Sequence, residues 1–387
     1  MRIALVCPYS FTHSGGVKQH VLGLYQEFKR QKLYVKILTP RAQKAPDLAD
    51  MIFLSRSVRL PTNLTSFDVS LNIPKVSEPI KKILAKEKFD IIHFHEPLNP
   101  FLSWQLLRAS RATNIGTFHS AWQGGLSLNI YRASLKPFED FFLRRLDGAI
   151  AVSPAAWDSW RKFLKKKDGV IIPNGIDLAR FKPKREAEKY QGERIRVLFV
   201  GRLEPRKGIM DLLRAFKLLA KKVPQAHLTI VGWGPSGHRS ELFVRHHRLG
   251  SRVNFAHRVS DKRLLSYYAQ ADICCFPAVG GESFGVVLLE AMAMGKPLVV
   301  YANAGYRWVL KDYPWKKALV PVKDVKKLAS SLEILAGDEK LRRTLGKWGL
   351  AEVKKYRWEK VAKQILAYYN CIKSRRNVGT QVRRMSD

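Results

Sequence analysis

RVLFVGRLEPRKGIMDLLRAFKLLAKKVPQAHLTIV, residues 196–231, is the stretch that decides the fold. A β-branched apolar run, Arg196–Val200, breaks at Gly201. A stretch of 3.6-residue periodicity follows from Gly208 to Lys222, and a second apolar run covers His227–Val231. Apolar positions recurring every three to four residues predict an amphipathic helix, and short apolar runs bounded by Gly, Pro or Asn predict buried strands. Strand, helix and strand in that order make a βαβ unit, which places its two strands side by side and parallel.

The same rhythm extends in both directions. Upstream, strands are expected at Ile3–Pro8, Leu33–Thr39, Asp90–Phe94, Asn114–Phe118, Gly148–Val152 and Val170–Ile172. Downstream they are expected at Val253–Ala256, Ile273–Phe276, Pro297–Tyr301 and Ala318–Val320, with helices alternating. The period vanishes between Asn174 and Arg194, where FKPKREAEKYQGER reads as a solvated linker. The fold class expected is α/β, with two Rossmann-like doubly wound domains, 1–178 and 192–357, facing a central cleft. Ligands in such sheets bind at the carboxyl ends of the strands. The segment 338–374 is helical, with Trp358, Val361, Ile365, Leu366 and Tyr369 on one stripe, so 358–374 is expected to pack back on the first domain. Residues 375–387, RRNVGTQVRRMSD, read as a disordered basic tail.

Composition sets outer bounds. A chain of 387 residues calls for two domains, at roughly 100 to 200 residues each. With 46% hydrophobic and 26% charged residues it is globular, neither disordered nor collagen-like. Four cysteines, Cys7, Cys274, Cys275 and Cys371, form no C-x-x-C and suggest neither a disulfide framework nor a zinc site. That usage fits a reducing cytosol. The apolar start MRIALVCPYS is too short for a secretory leader, and no run reaches the ~20 apolar residues of a membrane span. The net charge of +37 attracts phosphates, nucleic acid or anionic lipid. It is spread over both halves, with no basic stripe interleaved with aromatics, so nucleic acid is not an expected partner.

Candidate site residues cluster at strand ends. GGESFGVVLLEAMAMGKPLV, residues 280–299, follows the strand ICCFP and runs into a helix. Glycines 280, 281 and 285 allow close backbone approach, and the unpaired N–H groups of a helix start favour an anion such as a diphosphate. Glu282 and Glu290 are eight apart, so both are expected to face the same cleft. Arg202 and Lys207, five apart in a strand-to-helix loop, could hold a departing diphosphate. Gly15 and Gly16 stand between a strand and a helix without a complete G-x-G-x-x-G. His119 ends the strand IGTFH. His93 and His95 share a strand face and raise metal binding, but no third ligand stands at a suitable spacing, so packing is the preferred reading. No D-x-D element stands in a donor loop; no metal and no tightly bound cofactor are expected.

The E-x7-E element, GRLEPRKG at 201–208 and IPNGID at 172–177 resemble the retaining two-domain glycosyltransferases of family 4. With the opening CPYSFTHSGGVKQHV, FDIIHFHEP and TFHS, the chain looks closest to the bacterial phosphatidylinositol mannosyltransferases, over Arg2 to about Tyr369. The resemblance implies a nucleotide-diphosphate sugar donor, GDP-mannose above others, and a lipid-linked or polyol acceptor such as phosphatidylinositol. It assigns catalysis to His119, Arg202, Lys207 and Glu282, with Glu282 on the donor sugar hydroxyls. Donor binding falls to Gly16, Ser283, Phe284, Gly285, Val286 and Glu290, the last on the ribose, and acceptor binding to Tyr9 and His20. Thr12, Leu98 and the segment Ala121, Trp122 and Gln123 depart from the inositol enzymes' pattern.

No acid is placed to attack the sugar, as a double displacement would require, so a front-face substitution is expected. Nucleotide-sugar epimerases and hydrolases of the same fold would need a carboxylate pair around the sugar, and the matching constellation is not found. A UDP-sugar with another acceptor is the alternative within the class. Residues 79–89, PIKKILAKEKF, with WRKFLKKK at 160–167, could rest on an anionic membrane surface. A cytoplasmic protein, peripheral on the inner face of the cell membrane, is the expected localisation.

Overall fold

The computed structural model describes residues 1–11, 15–41, 48–61, 66–71, 76–99, 102–121, 143–161, 164, 169–182 and 194–386. Thr12, Trp122, Gln123, most of 160–167 and the linker residues 183–193 lie outside the described residues. Two compact units are formed: Met1–Gly175 with Trp358–Asp387, and Ile176–Arg357.

The first unit holds an eight-stranded sheet of β1 (Arg2–Val6), β2 (Tyr34–Arg41), β3 (Met51–Pro61), β4 (Ser66–Leu71), β5 (Ile91–His95), β6 (Thr113–Phe118), β7 (Gly148–Ala151) and β8 (Gly169–Ile171), in the order β4-β3-β2-β1-β5-β6-β7-β8. Its central strands are apolar on both faces because both faces are covered. Ile3 and Leu5 pack with Val21, Leu24 and Phe28 of the helix Gly16–Arg30, whereas Ala4 and Val6 pack with Ile80, Leu102 and Leu106 on the other side. All pairings are parallel except β3 with β4. The sequence does not announce that hairpin. Ser55, Arg56, Ser57 and Arg59 dilute the apolar run of β3, which a position near the sheet edge tolerates.

The second unit holds β9 (Ile195–Val200), β10 (Ala226–Val231), β11 (Val253–His257), β12 (Ile273–Phe276), β13 (Leu298–Tyr301) and β14 (Leu319–Val320), all parallel, in the order β11-β10-β9-β12-β13-β14. In each sheet the chain winds outward one way and then starts again on the other side of its first strand. The switch falls between β1 and β5 in the first unit and between β9 and β12 in the second. At such a switch the following loops diverge and open a crevice beyond the carboxyl ends of the strands.

The helix Trp358–Ser386 belongs to the first unit. Val361, Ile365, Tyr369 and Ile372 are buried in the same core as Ile3 and Leu5. The expected disordered tail is overturned, because the helix runs on to Ser386. Residues 375–386 contain no proline and carry Arg and Gln, which are good helix formers, so the helical backbone continues through them. The indole of Trp358 fills the space left by two glycines: a Cβ on Gly23 would fall 2.2 Å from it and one on Gly175 2.4 Å. Gly23→Ala is therefore expected to destabilise the protein by about 1–3 kcal/mol through overpacking. Urea denaturation measures it, and an unchanged midpoint would contradict this packing.

The helix Glu78–Glu87 uses its apolar side internally. Ile80 is fully buried, and Ile83 and Leu84 pack against the same core, while Lys81, Lys82, Lys86 and Lys88 are exposed. Those isoleucines and the leucine cover the sheet, so only the basic face remains for an anionic surface. Among the described residues no helix is long and apolar enough to cross a membrane.

Candidate functional site

In the second unit both candidate loops follow neighbouring strands at the switch point. After β9 comes Gly201–Glu204, then a single 3₁₀ turn, Pro205–Lys207, then Gly208 in the left-handed region (φ 70°) and the helix Ile209–Lys222. After β12 the chain passes Gly280 and Gly281 to Gly285 (φ 93°), which opens the helix Val286–Ala293. No side chain caps either helix start, so their first N–H groups are placed to meet an anion. The loops touch through backbone: a Cβ on Gly208 would lie 1.8 Å from the Pro277 carbonyl oxygen.

Five charged side chains join the loops. Lys207 Nζ lies 2.6 Å and Arg206 2.8 Å from Glu282 Oε1; Arg206 also pairs with Glu204 at 2.8 Å, and Arg202 pairs with Glu204 at 2.6 Å. Glu204 is fully buried, and Glu282 is 9% exposed. A buried carboxylate is tolerated only when paired, and each of these two has two cations. Three cations and two carboxylates leave one positive charge over, beside two helix starts. The arrangement suits a diphosphate. Arg202, Lys207 and Glu282 are thus brought together as the sequence suggested. Arg206 and Glu204 were missed; an acid standing among cations in GRLEPRKG was the available signal.

Glu290 stands apart from this network. Tyr268 donates a hydrogen bond to it at 2.7 Å, and burial pushes its carboxyl up to about 7 against that bond and the charge of Arg180. Ser283 and Val286 are partly exposed beside Gly285. The side chain of Phe284 does not fit the donor contact expected of it. It is 1% exposed, with its ring 5.6 Å from Trp308 and 5.8 Å from Tyr356, so an apolar ring has gone to the core and only its backbone can meet a ligand.

In the first unit the ends of β5 and β6 and the helix Gly16–Arg30 bring four histidines together. His93 Nε2 bonds Thr117 Oγ1 at 2.5 Å and its Nδ1 bonds the Tyr369 hydroxyl at 2.5 Å, which makes it a packing residue as expected. His95 Nδ1 lies 3.0 Å from His119 Nε2, and His20 Nδ1 donates to Asn174 Oδ1 at 2.8 Å. His20 was expected on the acceptor. At 3% exposure, with its ring against His95, His119 and Trp358, it is a buried member of this cluster instead. Burial lowers the His20 pKa to about 4 and those of His93, His95 and His119 well below the usual value. All four rings are neutral at pH 7. Glu96, in the left-handed region (φ 52°), accepts the His119 backbone N–H at 2.8 Å and a hydrogen bond from Ser120 at 2.9 Å, and burial raises its pKa to about 7. Gly16 stands exposed at its helix start with open space around its missing Cβ, and Tyr9 follows β1, half-buried.

These shifts oppose one another in their effect on stability. Glu290 and Glu96 hold a proton in the fold up to about pH 7, against 4.5 ordinarily, so stability falls as pH rises through that window. The histidines bind a proton more readily when unfolded, so they lower stability as pH drops below about 6.5. Glu290→Gln removes one contribution of the first kind. The variant is expected to gain stability relative to the parent as pH rises from about 5 to about 8. Denaturant midpoints measure the difference, and parallel curves would contradict it.

Residues 14–180 match the family described as Glycosyltransferase Family 4, and residues 181–352 match Glycosyl transferases group 1. The phosphatidyl-myo-inositol mannosyltransferase of Mycolicibacterium smegmatis is 35% identical over 96% of this chain and 94% of its own. The protein of the same name from Propionibacterium freudenreichii is 32% identical over 81% and 80%. Among solved structures, sucrose-phosphate synthase from Thermosynechococcus elongatus superposes with a TM-score of 0.75 at 26% identity, over 96% of this chain and 99% of that one. An Anabaena protein in complex with UDP and glucose superposes at 0.69 and 16% identity, over 96% and 99%, a likeness of fold.

Proposed function

Because this chain belongs to the two-domain glycosyltransferases of family 4, the family of the phosphatidyl-myo-inositol mannosyltransferases, we propose that it transfers mannose from GDP-mannose to a phosphatidylinositol-type lipid with retention at the anomeric carbon. The chain is a hexosyltransferase with a GT-B fold; the donor, the acceptor and the stereochemistry are the proposal. The observation that carries it is the group of Arg202, Glu204, Arg206, Lys207 and Glu282 at the switch point of the second sheet. The domain 192–357 takes the nucleotide sugar and the domain 1–178 the acceptor.

The chemistry follows from where charge develops. As the bond from the sugar carbon to the diphosphate oxygen breaks, its electron pair leaves with the phosphate. Arg202 and Lys207 stabilise that growing charge, and the N–H groups at Gly285 and Val286 add the positive end of a helix. The acceptor hydroxyl oxygen attacks the same face, and its proton passes to the departing phosphate oxygen. Glu282 orients the sugar hydroxyls and Glu290 the ribose. By the family resemblance, the proposed roles of the first unit's residues are catalysis for His119, donor binding for Gly16 and acceptor binding for Tyr9. Guanine against uracil is set near Gly232–Pro235 and His257–Ser260.

Thermal denaturation with GDP-mannose, UDP-glucose and UDP-N-acetylglucosamine tests the donor. At a hundredfold excess over Kd the true donor adds about 2.7 kcal/mol by mass action. GDP-mannose is expected to stabilise most; equal or larger shifts with a UDP-sugar would overturn that choice and favour the alternative donor. The exposed lysines at 81, 82, 86 and 88 support attraction to anionic lipid, at about 1 kcal/mol each. Flotation with anionic vesicles is expected at low salt and lost at high salt. Absence of flotation at low salt would contradict peripheral attachment.

A further inference from the structure

We propose that His20, His95 and His119 form a binding site for a zinc ion, closed around three imidazoles with a fourth position left open. Each residue offers a ring nitrogen, and these atoms all lie within 4.8 Å of one another. In a tetrahedral site with metal–nitrogen bonds of about 2.0–2.1 Å, the ligand nitrogens stand roughly 3.4 Å apart and the ring centres roughly 5 Å apart. Here the centroids are 4.7 Å (His20 to His119), 5.2 Å (His20 to His95) and 5.3 Å (His95 to His119) apart.

Hydrogen bonding prepares the nitrogens. His20 gives its Nδ1 proton to Asn174 Oδ1, which leaves Nε2 as a bare lone pair, and that Nε2 is buried without a partner. His95 Nε2 is likewise buried without one. A buried polar nitrogen without a partner is costly, and a cation held by both of these would remove that cost. The Asn174 bond is the outer support that fixes tautomer and orientation in histidine metal sites. His93 stands outside this group, with Thr117 and Tyr369 at its two nitrogens, whereas the 3.0 Å bond between His95 Nδ1 and His119 Nε2 would be exchanged for the metal. A neutral imidazole set favours zinc, copper or nickel over magnesium or calcium, which prefer oxygen.

The site stands on this geometry alone. Its consequence, that zinc occupies His119 and so inhibits transfer, rests on the function proposed above. The test is equilibrium dialysis of the full chain against zinc, followed by metal analysis. One zinc per chain is expected, with affinity at least tenfold lower in His20→Ala and in His95→Ala and unchanged in His246→Ala, an exposed histidine. Equal affinity in the parent and the first two variants would overturn the proposal. If those variants do not fold, cobalt(II) titrated into the unaltered chain decides: the intense visible absorption of a four-coordinate nitrogen site supports it, and the weak spectrum of a six-coordinate ion overturns it. A chain that binds zinc in this way but transfers no sugar keeps the site and loses only the transferase reading.

Discussion

Replacing Lys207 by alanine is expected to lower kcat about 10²–10³-fold, the range for removing one preorganised charge-stabilising donor from an active site. Lys207 supplies one of three cations set against the two carboxylates Glu204 and Glu282, so its loss cancels the surplus positive charge that the loops present. The phosphate gains charge as the glycosyl bond breaks, so the loss should fall on kcat more than on KM for the donor. The fold should survive, because Glu282 keeps Arg206 at 2.8 Å. Steady-state kinetics with an unchanged melting temperature measure the effect. A loss below about fivefold would mean that this amine does not meet the reacting phosphate. Lys207→Arg, which keeps the charge, should recover part of the rate.

Gly208→Ala should be worse, and for a different reason. The residue sits at φ 70°, and an added Cβ would lie 1.8 Å from the Pro277 carbonyl oxygen, an atom of backbone with little freedom to retreat. The left-handed conformation costs an L-residue about 1–2 kcal/mol, and overpacking adds about 1–3 kcal/mol. Relief of the clash requires the loop carrying Lys207 and the loop leading to Glu282 to separate. Stability should fall by about 2–5 kcal/mol, and whatever protein folds should have lost activity as severely as Lys207→Ala. A stable and active Gly208→Ala protein would show that the contact between the two loops is not needed.

Much of this could be read from the chain before folding. Twelve of the strands announce themselves because parallel strands covered on both faces must be apolar throughout. Arg202, Lys207 and Glu282 were legible because each lies where a strand hands over to a helix. The β3–β4 hairpin was not, since arginines and serines interrupt its apolar run. The histidine cluster was illegible for a topological reason: His20, His95, His119 and Asn174 come from four separate segments, and no spacing rule links them. Glu204 is different. An arginine stands two residues away on either side of it, and only the fold shows that its carboxylate is buried and holds both. Phe284 carries the opposite lesson, since it stands inside the motif while its ring packs in the core, which leaves only its backbone for a ligand.

The central claim is that the loops after β9 and β12 hold the diphosphate of an activated sugar. The most direct measurement is the structure of the protein crystallised with GDP-mannose or GDP. The expected result places the β-phosphate within hydrogen-bond reach, about 3 Å, of Arg202 and Lys207 and of the N–H groups that begin the helix Val286–Ala293. A diphosphate bound elsewhere, with those two cations still paired with Glu204 and Glu282, would contradict it.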